Sequence, residues 1–279
     1  MSDDRQRSII LLVLTAVLWS TSGLFVKIIP WQPLAILGMR GLFATLVFIS
    51  YLRSIRIEWS FWLVVSALGQ IATQFLFITA TKQTTAANAI FLQYTTPIYV
   101  TLLGIWLLKE YPTRLDLWTM AVIFLGLTLF FVQEIDFRGT VGNILALLSG
   151  FTMAVMTIAM RKQAPHTTTQ SVLLATISMS VVCLPFSLQE KWTFPVFLGL
   201  AFLGIVQIGI AMLLYSIAIR KLKALEVTLI TALEPILNPF WVFLVLGERP
   251  GLLSIFGGIL VVGAVVGNAY FSQNAKVKI

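Results

Sequence analysis

One carboxylate stands where loops cannot reach it. Glu234 lies deep in an apolar run of this 279-residue chain, and a charge at the bilayer centre costs roughly 2.5–3.5 kcal/mol on insertion scales, so such a group faces a cavity or a partner. Thr231, Glu234, Asn238 and Trp241 recur at spacings of three, four and three, which puts them on one face of an unbroken helix. Pro235 and Pro239 each remove a backbone donor and free the carbonyl four residues back, in a medium where lipid supplies no substitute. The chemistry on offer is pairing with a cation or exchange of a proton, with freed carbonyls as acceptors for substrate. The plainer alternative is a proline-kinked helix whose protonated Glu234 bonds a neighbour.

A second set echoes the first. Gln93 and Thr96 precede Pro97 as Thr231 and Glu234 precede Pro235, so this stripe is polar but uncharged, and interhelical hydrogen bonds explain it as well as a binding site does. Asn88 lies on the same run, as a gate or as an ordinary polar boundary. Gln70, Gln74 and Phe77 share one face of another run, answered by Met212 and Tyr215 elsewhere. The rings can clasp an apolar body while the glutamines fix a polar end, or they can simply pack. Gln207 is a further polar candidate. Ser149, Met153, Met156 and Met160 again keep helical spacing, forming either an adaptable wall or core. Trp19 has an indole N–H that needs a partner at depth. Arg40, well inside an apolar run, is read first as structural, capping carbonyls or snorkelling, with a substrate carboxylate as its alternative partner.

These residues need membrane helices to hold them. The chain is 58% hydrophobic and 11% charged with mean hydropathy +0.95, against about 25% charged in soluble domains. Apolar runs of about 20 residues, long enough to cross the hydrocarbon layer, fill nearly the whole length. The first begins after Arg5 and Arg7 and continues to Lys27 without a small-residue cleavage pattern, so it is read as a span and not a signal peptide. Ten spans are expected, at about 9–29, 32–52, 61–80, 85–108, 115–132, 140–160, 170–188, 194–218, 225–246 and 251–271. The +8 net charge does not indicate nucleic acid, because the lysines and arginines fall between the runs. With the N-terminus inside, 13 of these cations are cytoplasmic and 5 external, which predicts both termini in the cytoplasm. A single cysteine, Cys183, and a single histidine, His166, give no basis for a disulfide or a paired-histidine metal site, and no cofactor is expected.

The two proline stripes belong to a repeat. Pro97, Glu110 and Pro112 recur as Pro235, Glu248 and Pro250, each 138 residues on, and Ala80, Ile98, Leu108 and Leu115 match Ala218, Ile236, Leu246 and Leu253 at the same offset. Two halves, residues 1–136 and 137–279, are therefore expected, and an odd number of spans in each makes them inverted. Glu110 and Glu248 sit at span ends, where they are expected to fix a tight helix turn, with Pro97 and Pro235 as the other structural marks. Gly263 and Gly267, with Gly258 nearby, suggest close helix packing, within the bundle or between protomers. A monomer or weak homodimer is expected.

The segment from Thr84 to Glu110 (TTAANAIFLQYTTPIYVTLLGIWLLKE), its partner from Ala232 to Pro250 (ALEPILNPFWVFLVLGERP) and the glycine-rich last span resemble the EamA family of the drug/metabolite transporter superfamily, over essentially the whole chain. The resemblance implies an all-α integral membrane fold of ten transmembrane helices, arranged as two inverted-topology five-helix repeats around a central cavity lined mainly by the first, third and fourth helix of each half. It implies a transporter of small molecules, similar to the family's ten-helix exporters of amino acids, aromatic or apolar ones among them, working by alternating access in the bacterial inner membrane. A multidrug or nucleotide-sugar carrier of the same superfamily is the alternative. A lipid-modifying membrane enzyme would need clustered histidines or carboxylates near an interface, which the sequence lacks.

Overall fold

The computed structural model describes residues 3–53, 55–132, 139–237 and 251–277. Arg138, Asn238, Pro239, Trp241, Glu248, Arg249 and Pro250 lie outside the described residues. Among those described, eight helices are long and apolar enough to cross a membrane.

In chain order the elements are α1 (Asp3–Trp19), α2 (Ser22–Ile28), α3 (Pro33–Leu52), α4 (Phe61–Gln83), α5 (Ala86–Gln93), α6 (Thr96–Leu103), α7 (Arg114–Phe131), α8 (Thr140–Lys162), α9 (Thr168–Cys183), α10 (Phe194–Phe202), α11 (Ala211–Ala218), α12 (Ala224–Thr231) and α13 (Leu252–Val277). π-helical turns extend α6 through Gly104–Leu108 and join α10 to α11 through Leu203–Ile210. Polar side chains satisfy the open backbone groups at several starts. Ser60 and Thr85 accept from the amides three residues on, and Thr113 with Asp116 closes a reciprocal capping box on α7. Arg53 and Lys109 end their helices in the left-handed region, at φ 52° and 57°.

Polarity runs opposite to that of a soluble protein. Trp106 and Leu252 are 82% and 86% exposed while Arg40 is fully buried, the arrangement that a hydrocarbon surround favours. α4 packs on α8 as α11 packs on α1, and α5 and α6 pack on α8 as α12 packs on α1. α3 meets α9, and α7 meets α13. This last pair touches backbone to backbone, because a Cβ at Gly257 would lie 2.4 Å from the Gly126 carbonyl oxygen. The close approach therefore falls six residues before Gly263, next to Gly258. Gly263 and Gly267 have nothing within 4 Å among the described residues, so they do not pack the bundle there.

Three of the expected spans contain a break, and Ala86–Leu108 still forms one membrane-crossing stretch, matching the span expected at 85–108. The first span is two helices, α1 and α2, and the fourth is α5 followed by α6. The span expected at 225–246 also changes course, since α12 ends in a turn at Ala232 and Leu233 before residues 234–237 resume helix.

At one end of the bundle, charges tie the elements together. Glu110 Oε1 accepts from Arg161 Nη2 at 2.6 Å and Oε2 accepts from the Ala224 amide at 2.8 Å. Arg161 Nη1 also donates to the Ile219 carbonyl at 3.3 Å. Glu110 thus joins α8 and α12 to the end of the α6 segment, and the tight turn expected of it is made by left-handed Lys109. Arg5 pairs with Glu226, and Asp4 with Lys221 at 2.9 Å.

Candidate functional site

Three helix breaks meet at one cavity. The break after α1 contributes Trp19 and Ser22, the break after α5 contributes Gln93, and the turn after α12 contributes Glu234. The remaining wall comes from Gln70, Thr73, Gln74 and Phe77 of α4, Met153 and Met156 of α8, Gln207 of the π-helical segment and Met212 of α11. Among the described residues nothing from α3, α7, α9 or α13 lines it. The space is about 40 Å³, room for about three waters at roughly 10–15 Å³ each and far below the ~300–1,000 Å³ of small-molecule pockets. A metabolite can enter only if the walls part.

Proline explains the second and third breaks. Pro97 and Pro235 follow them directly, and each denies a hydrogen bond to the carbonyl four residues earlier, Gln93 and Thr231. Both carbonyls are claimed by protein hydroxyls. Thr96 Oγ1 donates to the Gln93 oxygen at 2.7 Å, and the Tyr94 hydroxyl lies 2.7 Å from the Thr231 oxygen. The acceptors expected to be free for substrate thus each already take one hydrogen bond from within the protein. The same Tyr94 hydroxyl lies 2.6 Å from Glu234 Oε2. Tyr94 carries the second break just as Ala232 carries the third, at the 138-residue offset.

The turn at Ala232 and Leu233 falls between the first two residues of the expected stripe. Glu234 reaches the cavity, whereas Thr231 is fully buried with its hydroxyl on the Thr228 carbonyl at 3.2 Å. Thr96 likewise turns to backbone. Tyr215 stands behind the wall: its hydroxyl is 2.7 Å from that of Thr157, and its ring centroid is 5.2 Å from that of Trp19. Asn88 lies away from the cavity, donating to Asn143 Oδ1 at 3.1 Å and so tying the start of α5 to α8. Asn238 lies outside the described residues.

The cavity amides are held by a second layer. Gln93 Nε2 donates to Ser149 Oγ at 2.7 Å, which donates to the Thr73 carbonyl at 3.1 Å. Arg40, expected to hold its span in place by capping carbonyls or snorkelling, is buried and its Nη2 donates to the side-chain carbonyl of Gln207, tying α3 to the π-helical segment. Ser22, Thr73 and Tyr94 were not anticipated. Ser22 and Thr73 carry hydroxyls like many in the chain, and Tyr94 lies off the polar face, so only its position beside a proline break marks it.

Family comparison agrees with this architecture. The model of the EamA-like transporter family matches twice, over residues 6–132 and 140–270. Two proteins of Archaeoglobus fulgidus described as uncharacterized transporters are similar: one is 24% identical over 287 residues, covering 92% of this chain and 95% of its own, and the other is 24% identical over 263 residues, covering 91% and 93%. A solved crystal structure shares the fold at TM-score 0.77 and 20% identity, with 94% of this chain and 96% of its own covered. The chain is a multi-pass membrane transporter and belongs to the EamA-like transporter family.

Proposed function

We propose that this protein exports small amphipathic metabolites, amino acids among them, by alternating access between two inverted five-helix halves, with both termini in the cytoplasm of a bacterial inner membrane. The observation that carries this reading is the convergence of three helix breaks on one cavity containing a single carboxylate among its described lining residues, Glu234. Discontinuous helices at the midplane are where transporters place substrate and coupling sites. Inversion is supported by helix pairings that exchange between the halves, by breaks at one offset and by the double family match.

Glu234 is the coupling group in this reading. The Tyr94 oxygen has one proton but two partners within hydrogen-bonding distance, Glu234 and the Thr231 carbonyl. When Glu234 is protonated, it donates to Tyr94, and Tyr94 donates to Thr231. When Glu234 ionises, Tyr94 must turn its proton to the carboxylate, and the Thr231 carbonyl loses its donor. A substrate ammonium beside Glu234 favours the ionised arrangement, so proton and amine compete for one carboxylate.

Counterflow in proteoliposomes tests the assignment. Wild type is expected to exchange amino acids with a pH-dependent rate, and Glu234→Gln to lose that dependence along with affinity for amine-bearing substrates. Unchanged affinity and pH profile would remove Glu234 from the mechanism. A carrier of cationic drugs is the competing reading, since Glu234 is acidic and no lysine or arginine lines the cavity among the described residues. Exchange of drugs but not amino acids in the same assay would favour it.

A further inference from the structure

Behind the cavity wall sits a positive charge that the described fold does not neutralise. Arg40 is 0% exposed in the middle of α3. Its Nη2 donates to Gln207 Oε1, while Nε and Nη1 have no hydrogen-bond partner among the described residues. No described carboxylate pairs with it; the acids that form ion pairs are Glu226, Glu110, Glu58 and Asp4. A guanidinium cannot shed its proton, and leaving it buried without a counter-charge is strongly destabilising. The backbone holds it there: α3 runs so close to the π-helical segment that a Cβ at Gly204 would fall 2.4 Å from Phe43 Cβ and 3.0 Å from the Arg40 carbonyl oxygen.

The cavity face in front of Arg40 is rich in unused donors. Arg40 engages Oε1 of Gln207, which leaves both N–H groups of that amide to offer. Both amide atoms of Gln70 and the indole nitrogen of Trp19 lack partners among the described residues, and all three side chains line the cavity. Gln93 donates one of its two Nε2 protons to Ser149, and its side-chain carbonyl oxygen remains an acceptor. Glu234 is the one carboxylate among the described lining residues, and the Ser22 hydroxyl also lacks a hydrogen-bond partner among them.

We propose that Gln207, Gln70 and Trp19, with Arg40 behind Gln207, form a subsite for a carboxylate of the transported solute. Gln207, Gln70 and Trp19 contact the oxyanion, and Arg40 is a positioning residue that fixes the Gln207 amide and strengthens its N–H through the charged hydrogen bond. This rests on the transporter reading and adds to it the residues that meet the acid group. The solute carries an anionic oxygen group, an amine toward Glu234, and an apolar body beside Met153, Met156 and Phe77.

Binding to the full chain in detergent, measured with three probes of one carbon skeleton, tests the subsite. The probes are leucine, 4-methylpentanoate (the acid without the amine) and 3-methylbutylamine (the amine without the acid). Arg40→Gln is expected to weaken both acids about tenfold while leaving the amine within about twofold. Gln207→Glu supplies Arg40 with an internal carboxylate, so it should match or exceed the wild-type melting temperature yet lose the acids as Arg40→Gln does. Equal weakening of all three probes in both variants, or failure of wild type to bind either acid, overturns the subsite. Counterflow with the same probes separates the two readings. Acid binding without exchange of any probe keeps the subsite and removes transport, whereas binding and exchange of the amine alone keeps transport and removes the subsite.

Discussion

Lys27 and Arg161 hold corresponding carbonyls at the ends of two different helices. Lys27 Nζ donates to the Thr81 oxygen at 3.1 Å, near the end of α4, and Arg161 Nη1 donates to the Ile219 oxygen at 3.3 Å, just past α11. Thr81 and Ile219 are separated by the same 138 residues as Pro97 and Pro235. In the inverted-repeat reading these ends face opposite sides of the membrane, which makes the two cations counterpart fasteners. Arg161 is the more heavily committed, since it also pairs with Glu110.

Loosening either fastener should tilt the conformational balance in opposite directions. In a Cys183→Ser background carrying Met153→Cys as a reporter in the cavity wall, Arg161→Met is expected to lower labelling by an external, impermeant thiol reagent. Lys27→Met is expected to raise it. Each contact worth about 1.4 kcal/mol shifts such a balance about tenfold. Changes of the same sign in both variants would mean that the cations merely stabilise the fold.

Tyr94→Phe removes the donor shared by Glu234 and the Thr231 carbonyl. Leaving a buried acceptor unsatisfied costs about 1–3 kcal/mol, so a lower melting temperature is expected. Combined with Glu234→Gln, the loss should fall short of the sum of the single variants by about 0.5–3 kcal/mol, as for residues in one network. Strict additivity in thermal unfolding would separate the two side chains energetically.

The two threonines of the proline stripes should differ. Thr96→Val leaves the carbonyl freed by Pro97 without its hydroxyl donor and should destabilise by about 1–3 kcal/mol. Thr231→Val gives up only a 3.2 Å bond to its own helix and is expected to change melting temperature and transport KM little. A matching loss in both would put Thr231 in the binding machinery after all.

Glycines offer a contrast that reads packing directly. Gly257→Ala places a methyl group 2.4 Å from the Gly126 carbonyl oxygen and should cost about 1–3 kcal/mol, as overpacking does. Gly263→Ala meets nothing within 4 Å and should be neutral or stabilising through helix propensity, by up to about 1 kcal/mol. Unfolding in detergent measures both.

Glu234 was legible as a cavity group because depth alone makes a carboxylate conspicuous. Thr231 is not among the described lining residues, since spacing rules do not foresee the turn at Ala232 and Leu233 that separates it from Glu234. The prolines announced that backbone groups would be freed, but not that Tyr94 and Thr96 would occupy them, because that depends on which hydroxyl the tertiary fold brings near. Arg40 was visible as a buried cation. Its connection to Gln207 was not, because the π-helical turn that presents Gln207 has no signature in the sequence comparable to a proline. The pairing of α7 with α13 came from Gly126 and Gly257, whose role depends on which helices meet, whereas Gly263 and Gly267 followed the familiar spacing and stayed open.

The helix breaks also bear on how such a protein can diversify. Trp19, Ser22, Gln93 and Glu234 sit at or within two residues of a break, while the flanking helical segments bury against one another or face lipid. Substitutions at these few joints can reshape what the chamber accepts without altering the hydrophobic lengths that insert the chain or the contacts that assemble it. The other eight described lining residues lie within segments that also pack the bundle, so the joints are where the chamber can change with the least disturbance of the contacts that assemble it.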